Sequence, residues 1–168
     1  MILIPFFVFF GYVLGFCLIY GIPESLSESW YILPKNWKWL FPVILGFLSI
    51  FLLVIILQKH PTLASQIFIP LAIMGLIFVA IFSHYKDGFQ NILHVGGAGS
   101  AVLFILIWQF KSFSFWIGIT VLLITGIIIK IIELLTKEKY EFTDNTVFWL
   151  EMWMFLDFYI CAFILYFT

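Results

Sequence analysis

Six apolar stretches, each long enough to cross a lipid bilayer as a helix, account for most of this 168-residue sequence. A transmembrane helix needs about 20 consecutive, mostly apolar residues. The stretches that meet this requirement are 2–20, 39–57, 62–83, 88–110, 113–132 and 147–167. Very short connections join the second stretch to the third, the third to the fourth and the fourth to the fifth, so these neighbours are antiparallel. The sequence therefore predicts a single domain over 1–168, an all-α integral membrane protein built as a compact bundle of six transmembrane helices.

The overall composition agrees with a multi-pass membrane protein. Hydrophobic residues make up 64% of the chain and charged residues only 10%, whereas soluble domains carry about 25% charged residues. The net charge is -1, and without a basic patch there is nothing to neutralise the phosphates of a nucleic acid. Cys17 and Cys161 lie inside apolar stretches, which favours buried free thiols over a disulfide. Membrane lipid is therefore the expected partner, and nucleic acid is excluded.

The fourth apolar stretch begins with polar residues and continues with small ones. Helical spacing places five of its residues on one face, namely Asp87, Asn91, His94, Ala98 and Ala101. This face is polar over its first two turns and then small, so the stretch is expected at the centre of the bundle. His94 is thereby carried into the membrane, where ionisable residues are most often functional.

Two overlapping pairs of small residues follow His94. Gly96 and Ser100 form one pair, and Gly97 and Ala101 form the other. Small residues spaced by four allow a neighbouring helix to approach closely inside a membrane. The pattern predicts tight helix packing, either within the bundle or against a partner in a homo- or hetero-oligomer.

Four polar residues are expected on the same side of the membrane, because odd-numbered loops share a side. Ser27 lies in the first loop, His94 follows the third, Glu151 begins the last apolar stretch, and Asp157 lies deeper in it. A carboxylate at the bilayer centre costs at least ~2.5 kcal/mol, so it usually has a partner or lines a wet cavity. We therefore predict that His94, Glu151 and Asp157 converge in one polar pocket.

In this pocket His94 would act as a base or a ligand, Glu151 as its partner, and Asp157 as a proton-carrying or structural acid. Glu151 and Asp157 are six residues apart, about 120° around the helix, so one would face the pocket while the other pairs elsewhere or is protonated. His94 and Glu151 also have simpler interpretations, His94 as a hydrogen-bond donor between helices and Glu151 as an interfacial residue in contact with lipid headgroups. Ser27 or Ser29 near His94 becomes a candidate nucleophile only if the first loop folds back into the bundle.

Zinc is the candidate metal, and its site is a weaker prediction than the pocket. Four residues on the same side have suitable ligand chemistry, namely His84, Asp87, His94 and Glu151. The sequence contains neither an HxxxH nor an HExxH spacing. No cofactor fingerprint is present, so any cofactor is unknown.

Three short motifs resemble a known group of membrane proteins. They are Pro23-x-Ser25-x-Ser27 after the first helix, His94-x-x-x-Ala98 continuing to Phe104 in the fourth, and Glu151 with Trp153 in the last. In order and topology the chain resembles, over nearly its whole length, the small six-helix membrane proteins of the DRAM/Frag type and, more distantly, the CREST superfamily of membrane hydrolases. The resemblance implies a polar pocket at the membrane face and the handling of lipids. The last stretch lacks the histidine pair of the active CREST-type hydrolases.

Three functions remain open at this point. The first is a membrane protein with a polar pocket that binds or processes a lipid or other amphiphile; if it is an enzyme, it is a CREST-like hydrolase. The second is a transporter or proton relay with Glu151 and Asp157 as successive stations. The third is a non-enzymatic membrane subunit whose glycine-rich helix packs against a partner.

Overall fold

The computed structural model describes residues 3–84, 88–112 and 146–167, and its regular structure in these ranges is helical. The α-helices are α1 (Leu3–Tyr20), α2 (Ser29–Ile32), α3 (Leu40–Lys59), α4 (Leu63–Ile81), α5 (Gly88–Ser112) and α6 (Thr146–Phe167). Two 3-10 turns, Leu26–Glu28 and Lys35–Trp37, lie in the connection between α1 and α3. The predicted helical class is thus confirmed for this part of the chain.

Five candidate spans in the described ranges are long and apolar enough to cross a membrane. They are Leu3–Tyr20, Lys35–Lys59, Leu63–Ile81, Gly88–Ser112 and Val147–Phe167. Five of the six predicted stretches therefore coincide with helices of membrane length. The remaining stretch, 113–132, lies outside the described residues, so the six-helix bundle stays a prediction.

The core of the bundle is formed where α3, α4 and α5 pack side by side. The α4–α5 pair makes the most extensive contact, α3 packs against α4, and α6 packs against both α3 and α5. Leu52, Ile69, Ala72, Trp108 and Phe158 have no exposed surface. Inside a membrane such packing stabilises helix association, because lipid tails are as apolar as the side chains themselves.

Two glycines bring α4 and α5 into direct backbone contact. A Cβ atom added at Gly75 would lie 2.5 Å from the Gly97 carbonyl oxygen and 2.7 Å from Ser100 Oγ, and one added at Gly97 would lie 2.8 Å from the Gly75 carbonyl oxygen. Ala101, one turn beyond Gly97, is also buried. The small residues of α5 thus serve packing within the chain at this crossing. Gly96, by contrast, is exposed and would place its Cβ at least 4 Å from any neighbour.

The close approach of α4 and α5 at Gly75 and Gly97 predicts that alanine substitutions at neighbouring glycines differ sharply in their effect on stability. Gly97→Ala and Gly75→Ala should each destabilise the protein by about 1–3 kcal/mol, because the new methyl group meets backbone that cannot move aside cheaply. Gly96→Ala is the matched control: its methyl group points into open space and alanine favours a helix over glycine, so it should be neutral or stabilising by up to about 1 kcal/mol. Thermal unfolding in detergent measures the difference, and equal midpoints for Gly96→Ala and Gly97→Ala would contradict the crossing.

Candidate functional site

The connection between α1 and α3 folds back onto the start of α6. The Leu26 N–H donates to Glu151 Oε2 at 2.6 Å, and the Phe148 N–H donates to the Glu24 carbonyl oxygen at 2.9 Å. The second bond satisfies a backbone donor in the first turn of α6, where helices leave N–H groups without an intrahelical partner. The loop therefore closes one end of the helix that carries Glu151.

Serine side chains give this loop its shape. Ser25 Oγ accepts a hydrogen bond from the Glu28 N–H at 3.2 Å and caps the turn Leu26–Glu28, as serine commonly does at helix starts. Ser29 Oγ lies 2.7 Å from the Tyr12 hydroxyl on α1. Ser27 and Ser29 are only 3% and 1% exposed. The first loop is thus folded into the bundle, but the described hydrogen bonds of Ser27 and His94 do not join them: Ser27 bonds Ser25, and His94 bonds the Phe82 carbonyl oxygen.

Beneath the loop lies a cavity of about 340 Å³ between the helices. The described residues that line it come from the loop and from α1, α3, α4, α5 and α6, and all but two are apolar. The two polar residues are Ser27 and Glu151, and Ala98, Ala101, Val102 and Ile105 of α5 form one wall. We call this space the loop cavity. It combines an apolar interior with one polar pair, which is the usual make-up of a small-molecule site.

His94 and Asp157 make their hydrogen bonds away from this cavity. His94 is buried, and its Nδ1 donates to the Phe82 carbonyl oxygen at 3.0 Å, immediately after α4. Asp157 Oδ2 accepts from Gln109 Nε2 at 2.6 Å. Neither residue is among the described residues that line the loop cavity. Of the predicted site residues, the structure therefore brings Glu151 and Ser27 together and gives His94 and Asp157 partners of their own.

A polar cluster between α5 and α6 surrounds Asp157. Gln109 Nε2, which bonds the carboxylate, also lies 3.4 Å from Cys161 Sγ, and both residues are buried. Cys161 is a buried free thiol, as predicted, whereas Cys17 is free but only half-buried. The sequence-based reasoning missed Gln109, although an amide inside an apolar helix is itself a signal for an interhelical partner.

The candidate zinc ligands that the structure describes each contact a different neighbour. The His84 ring lies against the Trp30 ring with centroids 3.8 Å apart, and Lys38 Nζ sits 4.2 Å from the Trp30 ring. Glu151 and His94 have the partners described above, and Asp87 lies outside the described residues. Across residues 3–84, 88–112 and 146–167, no group of three or more His, Cys, Asp or Glu residues is placed to hold a metal ion.

No family model, curated protein or solved structure matches this chain. A function therefore has to be argued from the site itself.

The Gln109–Asp157 pair predicts strong coupling between two positions. Gln109→Leu leaves a buried carboxylate without its donor and should cost about 1–3 kcal/mol of stability. The double variant Gln109→Leu/Asp157→Leu should be more stable than Gln109→Leu alone, because no unpaired polar group remains. A double-mutant cycle of thermal unfolding measures this coupling, and additive effects of the two changes would contradict it.

The Leu26–Glu151 hydrogen bond predicts that the Leu26 amide is protected from hydrogen exchange. Glu151→Leu removes the acceptor, and since a buried donor left without its partner costs about 1–3 kcal/mol, amide exchange at Leu26 should accelerate about fivefold or more. Glu151→Gln keeps a carbonyl oxygen and should preserve slow exchange. Hydrogen–deuterium exchange of the peptide around Leu26 makes the comparison, and equal exchange in the two variants would show that Glu151 does not hold the loop.

Proposed function

We propose that this chain is an integral membrane protein that binds a lipid-like amphiphile in the loop cavity. The observation that carries the proposal is the cavity itself, about 340 Å³ in volume, with apolar walls and the polar pair Ser27 and Glu151. The apolar walls accept a hydrocarbon chain, and the polar pair meets the head of the same molecule. The chain's resemblance to DRAM/Frag-type and CREST proteins implies the same class of ligand.

The walls alone do not explain why a ligand would leave the bilayer for this cavity. Lipid tails are as apolar as leucine or phenylalanine side chains, so transfer of a hydrocarbon chain between them changes little free energy. A hydrogen bond to a polar group in a site of low dielectric is worth more than the same bond in water. Recognition must therefore come from Ser27 and Glu151, and the apolar walls provide the shape.

The contacts around Ser27 support binding more directly than hydrolysis. A serine nucleophile needs a base within hydrogen-bond reach. Ser27 Oγ lies 3.1 Å from Ser25 Oγ, and no histidine or carboxylate bonds it within the part of the chain that the structure describes. His94, the expected base, bonds the Phe82 carbonyl oxygen. His94 therefore has a structural role, joining α5 to the end of α4. Ser27 and Glu151 bind the ligand.

Two valines on α5 provide a matched test. Val102 lines the loop cavity and is 36% exposed, whereas Val95, two turns earlier on the same helix, does not line it and is 58% exposed. Val102→Phe should fill the cavity and reduce the binding of a fluorescent long-chain alcohol about tenfold or more. Val95→Phe should bind the probe like the unchanged protein. Titration of the probe into protein in lipid nanodiscs measures both.

Thermal unfolding of both variants is the necessary control, because overpacking also destabilises. Loss of binding in Val102→Phe with an unchanged unfolding midpoint supports the proposal. Equal binding by Val102→Phe, Val95→Phe and the unchanged protein would overturn it, since the ligand would then sit elsewhere on the surface.

A further inference from the structure

The polar pair in the loop cavity differs from a typical headgroup site in its charge. Glu151 is the one ionisable side chain among the described residues that line the cavity, and no lysine or histidine among them accompanies it. An ionised carboxylate has only acceptor atoms. When Glu151 is ionised, an anionic head meets this carboxylate without a cation among the described lining residues to offset the repulsion, in surroundings that screen charge weakly.

The carboxylate of Glu151 has unused hydrogen-bonding capacity. Its Oε2 accepts from the Leu26 N–H at 2.6 Å, and the described residues make no other hydrogen bond to it. A carboxylate offers about four lone-pair sites. A ligand that donates a hydrogen bond can therefore bind Glu151 while the loop stays in place. Ser27, on the loop itself, adds a hydroxyl that can donate or accept.

The cavity has room for a small ligand. At about 340 Å³, it stands at the lower end of the range of about 300–1,000 Å³ seen for small-molecule sites. The apolar walls therefore accommodate at least one hydrocarbon chain.

From this charge and capacity we propose that the loop cavity, with Glu151 ionised, selects an amphiphile whose uncharged or cationic head donates a hydrogen bond to Glu151. The inference rests on the proposed function and adds the chemical class of the ligand. It also implies discrimination against fatty acids and other anionic amphiphiles, although their chains fit the walls equally well. Specificity here comes as much from what Glu151 repels as from what it binds.

Three probes with chains of equal carbon number test the selection, namely dodecylamine, monolauroylglycerol and dodecanoate. Each is titrated against the bound fluorescent long-chain alcohol with the full chain in nanodiscs of a zwitterionic lipid. The amine and the glyceride should displace the alcohol at concentrations at least about tenfold lower than dodecanoate does. This order of affinities in the unchanged protein tests the inference without any variant.

The variant Glu151→Gln tests whether the charge of the side chain, and not its size, determines the order of probe affinities. The amide keeps the size of the side chain and an acceptor for the Leu26 N–H, but it removes the negative charge. The disadvantage of dodecanoate relative to the glyceride should shrink to within about threefold in this variant. Asp157→Asn is the matched control, because it removes a carboxylate from the same helix at a position that does not line the cavity, and it should leave the order unchanged.

The outcomes separate this inference from the proposed function. Equal displacement by all three probes, or tightest binding of dodecanoate, would overturn the selection while the cavity remains a binding site. An unchanged order in Glu151→Gln would also overturn it, because the carboxylate would then play no part. If none of the probes binds and Val102→Phe behaves like Val95→Phe, the proposed function fails and the inference fails with it.

Discussion

Hydrogen bonds between polar side chains and neighbouring segments organise the described helices, because a polar group inside a lipid bilayer is costly without a partner. Trp108 Nε1 donates to Ser65 Oγ at 3.0 Å between α5 and α4, Gln109 bonds Asp157 between α5 and α6, and His94 bonds the carbonyl oxygen of Phe82 beyond α4. Each bond joins two segments that are separate in the chain. Polar residues thus fix the relative position of helices whose apolar surfaces alone are poorly selective.

The sequence predicted the helices well and their side-chain partners poorly, for a physical reason. Span length and hydropathy are local properties, so α1 and α3 to α6 could be located to within about two residues, the usual uncertainty of helix ends. The hydrogen bond between Leu26 and Glu151 joins positions 125 apart in the chain, and no local pattern encodes it. His94, Glu151 and Asp157 were expected together because they were placed towards the same side of the membrane. A shared side does not determine the direction of a side chain around its helix, and Gln109 on α5 bonds Asp157.

The small residues of α5 have two different effects on its neighbours. On the face towards α4, Gly97 lets the two backbones touch, and the absence of a side chain there creates tight packing. On the wall of the loop cavity, Ala98 and Ala101 are short, and their size leaves space that larger side chains would fill. One run of small residues therefore produces both a rigid helix pair and an opening beside it. The rigid pair gives the cavity a fixed wall, which is a requirement for a site that recognises shape.

The docking of the first loop on the last helix also has a consequence for the order of assembly. During synthesis, Leu26 and Ser27 emerge long before Glu151 and Phe148, so the loop has neither of its α6 partners until α6 has been made. The polar pair exists only once α6 is in place. A chain without α6 would hold the loop only through contacts such as Ser29 with Tyr12 and Trp30 with His84, and it would leave an open groove in place of the cavity. Synthesis of α6 therefore completes the site.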